Sequence, residues 1–251
     1  MSGRGLRSSC RPGAMQRSMI PGRAGGVGPR KPGSVVILPA LKALRVDRLD
    51  AVIISHADAD NASGVHTVME AMPVARVLVS ESSRSDRLLH AALCRAADGW
   101  TWDGVSFRIL HPFPRDRGSR NDRSCVLAIG GSGGGVLLLG DVESGGASLL
   151  VDRFGAALAA EVLIVPHHGS ISSSTAAFAD AVRPSFAVVS AGYRNRYGFP
   201  HVQVVARYRN RGARVLNTAR QGGVSLEIRR HEIRVSTNRE SGWDFWRSRG
   251  G

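Results

Sequence analysis

His56, Asp58 and Asp60 stand at alternate positions in His56-Ala57-Asp58-Ala59-Asp60-Asn61, with Gly64 just beyond. One imidazole and two carboxylates are thus crowded onto a single turn, offering a mixed nitrogen and oxygen donor set. Such a set suits zinc, manganese or iron better than calcium or magnesium. The same residues also make a good helix-capping turn, because Asp58, Asp60 and Asn61 all favour N-cap positions. Taken alone, this stretch leaves both readings standing.

Three further polar clusters follow apolar runs. Gly140-Asp141 ends Val136 to Leu139, and Pro166-His167-His168-Gly169-Ser170 ends Val162 to Val165. Asn195, Arg196, Tyr197 and His201 follow Phe186 to Ser190. Each run reads as a buried strand, so each cluster is expected at a strand exit, where a loop is exposed while the sheet holds it rigid. Four such clusters in succession are hard to explain as surface decoration.

The elements that must position them alternate in type. Leu49 to Ser55 reads as a strand, followed by a helix with Val65, Val68, Met69 and Met72 on its apolar face and Pro73 as its stop. A short helix is expected from Val36 to Arg45, a strand over 74–79 and a polar-faced helix over 84–96. Residues 99–110 and 124–139 read as hairpins, the first turning at Asp103-Gly104, so the middle of the chain is expected to be antiparallel. Helices near 144–157, 174–182 and 202–211 then alternate with strands at 161–165, 185–190 and 213–217. A last hairpin is expected over 224–236. The pattern predicts an α/β domain over 34–238, with a disordered basic tail at 1–33 and a second tail at 239–251.

The chain of 251 residues carries a formal charge of +14. Residues 1–46 hold nine Lys or Arg and no acid, which leaves 25 basic against 20 acidic residues in the body. A modestly basic body suits a polyanion such as nucleic acid, although an Arg-rich genome gives the same balance. No apolar run approaches the roughly 18 residues of a membrane span. With no secretory h-region either, a cytoplasmic location is the default expectation. Cys10, Cys94 and Cys125 are widely spaced and are expected to form neither a disulfide framework nor a cysteine metal cluster, which points to a reducing compartment.

Four motifs together resemble the ComEC family of metallo-β-lactamase-fold proteins, in its C-terminal hydrolase-like domain. They are Ser55-His56-Ala-Asp58-Ala-Asp60, Leu138-Leu139-Gly140-Asp141-Val142-Glu143, Val165-Pro166-His167-His168-Gly169-Ser170, and Ser190 to Gly198 with its Tyr193-Arg194-Asn195-Arg196-Tyr197 core. The resemblance extends from Val35 to Arg234. It implies a four-layer αβ/βα sandwich lacking its first strands, metal at the sheet ends, and an association with DNA uptake in natural competence.

Carried over residue by residue, the resemblance gives His56 and Asp58 to one metal position and Asp60 to a second, with Asp141 bridging them. His167 and His168 lie at the metal or at the phosphate. Asp60, Asp141, His167 and His168 are the expected catalytic residues, and Asn121, Ser124, Ser170, Arg194, Asn195 and Arg196 the expected substrate-binding ones. Arg194 and Arg196 beside Tyr193 and Tyr197 suit backbone phosphate and base stacking, or form a basic loop.

The expected ligand set is His56, Asp58, Asp60, Asn61, Asp141, His168 and His201, for one or two zinc or manganese ions. The family has His where this chain has Asn61, and His-Pro-His where it has Phe199-Pro200-His201. Both changes fall on the metal that Asp60 would bind, so the second ion is expected to be weak or missing. His111 is a further metal candidate, more simply read as structural. The implied activity is metal-dependent hydrolysis of DNA, single-stranded by preference, or of another phosphodiester, in association with a membrane DNA-uptake channel. The alternative is a catalytically impaired nucleic-acid-binding or structural remnant.

Overall fold

A computed structural model describes residues 33–56, 59–80, 91–131, 134–229 and 232–238. The expected tails fall outside these residues, Gly33 aside. A π-helical turn over Gly33–Ile37 runs into α1 (Leu38–Ala43), where Pro39 occupies the first turn with no amide to lose. β1 (Val52–Ile54) leads to α2 (Ala59–Ala71), which stops before Pro73. Val68 is buried beneath α2, whereas Met69, expected on the same face, is 36% exposed.

β2 (Val77–Val79) and β3 (Ala91–Leu93) join β1 in a parallel sheet of order β1-β2-β3. The helix expected over 84–96 is therefore corrected. Residues 84–90 lie outside the described set, and Ala91, Ala92 and Leu93 pair in register with Val77, Leu78 and Val79. An Ala-Ala-Leu stretch favours helix by intrinsic preference, but pairing along an open strand edge decides its state.

The larger sheet contains β4 (Gly99–Trp102), β5 (Val105–His111), β6 (Val126–Gly131), β7 (Gly134–Leu138), β8 (Val162–Ile164), β9 (Phe186–Val189) and β10 (Arg214–Asn217), in the order β10-β9-β8-β7-β6-β5-β4. From β4 to β7 neighbours are antiparallel, and from β7 to β10 they are parallel. Asp103 and Gly104 turn the first hairpin at φ 49° and 80°, the pair of positive angles that a two-residue hairpin turn needs. The crossovers are α3 (Ser144–Phe154), α4 (Ala176–Val182) and α5 (Val202–Arg209). A short α6 (Thr218–Gln221), absent from the sequence expectation, precedes the hairpin of β11 (Val224–Arg229) and β12 (Glu232–Thr237).

Along β7 and β8 the pleat sends alternate residues to two cores. Leu137, Leu139, Leu163 and Val165 pack with Phe178, Val204 and Tyr208 of the helices. Val136 and Val162 pack instead with Leu78, Ile109 and Leu127, between the two sheets. Burial on both faces explains why these strands read as unbroken apolar runs. A third cluster of Ile54, Val77 and Val79 meets Val65 of α2. The layers are thus helix, sheet, sheet, helix, as the four-layer expectation requires.

Cys94 and Cys125 form a disulfide across a sequence separation of 31 residues, with Cα atoms 6.0 Å apart. This overturns the reading of the cysteines as unpaired and removes the basis for assigning a reducing compartment. Their spacing concealed the bond because the partners lie on different layers, Cys94 after β3 and Cys125 before β6. Among the described residues, no helix is long and apolar enough to cross a membrane.

Candidate metal centre

The parallel strands β7, β8 and β9 all end at one rim. β1 joins that rim through a bond from Cys125 N to Ser55 O of 2.8 Å. Gly140 takes the sharp turn out of β7 at φ 66°, so close to Ser124 and Ser55 that no side chain would fit. Ser124 Oγ accepts from Asp141 N at 3.1 Å, fixing the backbone that presents the carboxylate.

Two imidazoles face that carboxylate. His56 Nε2 lies 3.5 Å from Asp141 Oδ2, and His168 Nε2 lies 4.0 Å from the same oxygen. All three side chains are largely buried, at 2%, 15% and 11% exposure. His168 Nδ1 donates to Ser190 O at 2.7 Å; a carbonyl only accepts, so the neutral ring turns an unprotonated Nε2 towards Asp141. His56 Nδ1 has Ser55 Oγ at 3.0 Å, which leaves its Nε2 pointing the same way. His167 and His168 adopt left-handed backbone angles, φ 47° and 56°. Two adjacent non-glycine residues in this region carry strain, held here by His167 N donating to Gly140 O and by His201 N donating to Gly169 O.

The donors suit a divalent ion in kind. Two ligand atoms each about 2.1 Å from a tetrahedral ion stand ~3.4 Å apart. The 3.5 Å between His56 Nε2 and Asp141 Oδ2 is close to that spacing, and the 4.0 Å between His168 Nε2 and the same oxygen is wider. Among the described residues, no group of three or more His, Cys, Asp or Glu is assembled to hold an ion. What is described is a partial set of two pairs sharing Asp141. Asp58 lies outside the described residues, while Asp60 and Asn61 stand in the first turn of α2, their side chains not among those described.

Sequence comparison accords with this arrangement: residues 24–193 match the Metallo-beta-lactamase superfamily model. The chain belongs to the metallo-β-lactamase superfamily. It is 35% identical over 199 residues to Competence protein ComA of Neisseria gonorrhoeae, covering 79% of this chain and 28% of that protein. Identity to Recombination protein 2 of Haemophilus influenzae is 32% over 197 residues, 78% of this chain and 24% of that protein. ComE operon protein 3 of Bacillus subtilis is 30% identical over 217 residues, 82% of this chain and 27% of that protein. The chain spans about a quarter of the length of these relatives.

Within this metallo-β-lactamase-fold domain, other expected site residues serve the loops. Asn195 Nδ2 donates to Gly192 O and Phe199 O while its Oδ1 accepts from Phe199 N, so the amide holds the β9 exit in shape. His201 Nδ1 accepts from Gln203 N and caps α5. Ser170 Oγ meets Ser172 Oγ at 3.0 Å. Asn121 is half-buried and its carbonyl accepts from Ser124 N. Arg194 and Arg196 are exposed.

His111 is structural. Its Nε2 lies 2.7 Å from Asp122 O, and Nδ1 lies 3.1 Å from Asp116 Oδ2.

Two contacts go beyond the sequence reading of this superfamily domain. Glu143 Oε1 lies 3.2 Å from His167 Nδ1 and accepts from Ser172 Oγ at 2.9 Å, so a carboxylate orients the first imidazole of the His-His pair. The signal was its position two residues after Asp141, on the same strand exit. Phe199, noted only as a missing histidine, packs its ring on both His167 and His168 at centroid distances of 5.9 and 6.1 Å.

Proposed function

We propose that this domain is a metal-dependent hydrolase of phosphodiesters, acting on DNA in the setting of competence. The observation that carries this reading is the convergence of His56 Nε2 and His168 Nε2 on Asp141 Oδ2 at the common rim. His56, Asp58, Asp141 and His168 would hold one zinc or manganese ion. When bound, such an ion supplies Lewis acidity at a phosphoryl oxygen and makes water a competent nucleophile near neutral pH.

The protein's own groups do the rest. Asp141, or Asp60 from the first turn of α2, orients the attacking water. His167, held at Nδ1 by Glu143, offers Nε2 to the negative charge that develops on the non-bridging oxygens. The names of the competence relatives support DNA as substrate and a membrane uptake channel as the assembly in which the domain works. The basic body supports a polyanion in the same way.

A second reading, a nucleic-acid-binding remnant with one weak ion or none, is favoured by Phe199 lying against both histidines where the family has a further ligand. Metal content per chain, followed by manganese- or zinc-supplemented hydrolysis of single-stranded DNA, separates the two. One tightly held ion and cleavage that disappears in His56→Ala and Asp141→Ala support the enzyme. Cleavage undiminished in both variants would assign any activity to a contaminant, and two tightly held ions would sink the single-ion scheme.

A further inference from the structure

The exit of β9 carries rings that lead away from the metal centre. Phe199 lies nearly parallel to His168, with centroids 6.1 Å apart and planes at 18°. Tyr197 continues the series on Phe199 at 5.4 Å and 18°. The innermost ring is largely buried, whereas Tyr197 is 53% exposed, so the ladder runs from the metal centre to water. Arg196 holds its guanidinium over Tyr197, 4.8 Å from the ring centroid. Arg194 does the same over Tyr193 at 5.3 Å, and Tyr193 is 70% exposed. Asn195, with three hydrogen bonds to the loop backbone, sets the bend that aligns Phe199 with the tyrosine before any ligand arrives.

We propose that this ladder is a stacking subsite for an unpaired nucleobase beside the scissile phosphodiester, and that it restricts the substrate to single-stranded nucleic acid. The inference rests on the phosphodiesterase reading above and adds the feature that selects the strand. Planar rings interleaved with guanidinium groups match a ligand that alternates aromatic planes with negative charges. An apolar helix or strand from another protein has no anions for Arg194 and Arg196.

The guanidinium of Arg196 lies over Tyr197 with Nη2 donating to Tyr197 Oη at 2.5 Å, and its flexible stem lets it exchange that hydroxyl for the phosphate adjoining a stacked base. In a duplex, neighbouring pairs cover the faces of each base and leave only edges in the grooves. A ladder that offers ring faces therefore selects bases free of a partner. Phe199 gives up a metal donor at this position and becomes the rung that links His168 to Tyr197.

The test uses the full chain and two oligonucleotides of equal length and phosphate count, oligothymidylate and a strand of abasic deoxyribose. Binding is followed by anisotropy without metal at fixed ionic strength, and hydrolysis is followed separately with manganese. The wild type is expected to bind oligothymidylate about tenfold more tightly than the abasic strand, the scale of one base stacked on an aromatic ring.

Tyr197→Ala should remove most of that preference, and Tyr197→Trp should keep it. Arg196→Gln should weaken both strands alike and flatten the salt dependence. Equal affinity of the wild type for the two strands overturns the ladder, as does a Tyr197→Ala variant that retains the preference. A base preference without any hydrolysis overturns the phosphodiesterase reading and leaves the stacking site standing. Hydrolysis without base preference does the reverse.

Discussion

Asp122 caps α3, the helix whose N-cap position is Glu143. Its Oδ1 accepts from Glu143 N at 3.1 Å and from Gly146 N at 2.8 Å, at a helix start with no side-chain cap of its own. The same Glu143 holds His167, so a carboxylate on the loop before β6 governs an imidazole on the exit of β8. Asp122→Ala is expected to cost about 1–2 kcal/mol of stability, the usual loss for a helix cap. Asp122→Asn, which keeps the accepting oxygen, should cost less. If Asp122 acts on the site through Glu143, the double variant with Glu143→Ala loses no more DNA hydrolysis than Glu143→Ala alone. Simple additivity in that cycle would show the two residues to be independent.

Gly140 admits no side chain. A Cβ there would lie 2.5 Å from Ser124 Cβ and 3.0 Å from Ser55 Cβ, at a φ of 66° that L-residues avoid. Gly140→Ala should destabilise the domain by on the order of 3 kcal/mol, combining overpacking with left-handed strain. Because the displaced atoms flank Asp141, metal affinity should fall as well. Wild-type melting and metal binding in this variant would remove Gly140 from the account.

Stability should fall on mild acidification because of His111. Burial pushes its imidazole below the ordinary value of 6.5, against the upward pull of the Asp122 carbonyl and the Asp116 carboxylate. The unfolded chain therefore takes up this proton first. The contribution is fully present above about pH 6.5 and is lost as pH falls towards the lower folded value.

Asp116 adds a second loss at lower pH. The Arg153 guanidinium, bound to both its oxygens at 2.8 and 2.6 Å, holds it below the usual 3.8. Urea midpoints between about pH 7.5 and 5 should decline more steeply for wild type than for His111→Gln. Equal slopes would mean that His111 does not drive the change.

Reduction of Cys94–Cys125 should weaken the domain by up to about 3.7 kcal/mol, the cost of releasing a loop of this size in the unfolded chain. The effect should extend to the metal centre. Cys125 N is bonded to Ser55 O, and Cys125 Sγ approaches Ile54 O at 3.7 Å, so the bridge steadies the strand that carries His56. Denaturation with and without reductant, alongside Cys94→Ser, measures both effects. Identical midpoints would make the cross-link energetically idle.

Much of the fold was legible because burial on two faces leaves a plain mark: Val136 to Leu139 and Val162 to Val165 could hardly be anything but inner strands. The exits of those strands were legible for the same reason, and they placed Asp141, His167 and His168. Ala91 to Leu93 misled because its strand state comes from β2, far away in sequence and invisible to local preference. Cys94 and Cys125 misled in the same way, since only the stacking of two sheets brings them together. Asn195 and Ser124 are expected substrate contacts on their types and places alone, and what no local pattern could give is their part in building the loops, through hydrogen bonds to Phe199, Gly192 and Asp141.

His168 owes its orientation to Ser190, 22 residues downstream, and the turn beneath it is tied to His201 through Gly169. A nascent chain that has completed β1, β7 and β8 thus holds most of the donors without the carbonyl that aims one of them. The rim is therefore completed from its C-terminal side: His168 is aimed only once Ser190 is in place, and the turn beneath it is tied only once His201 is.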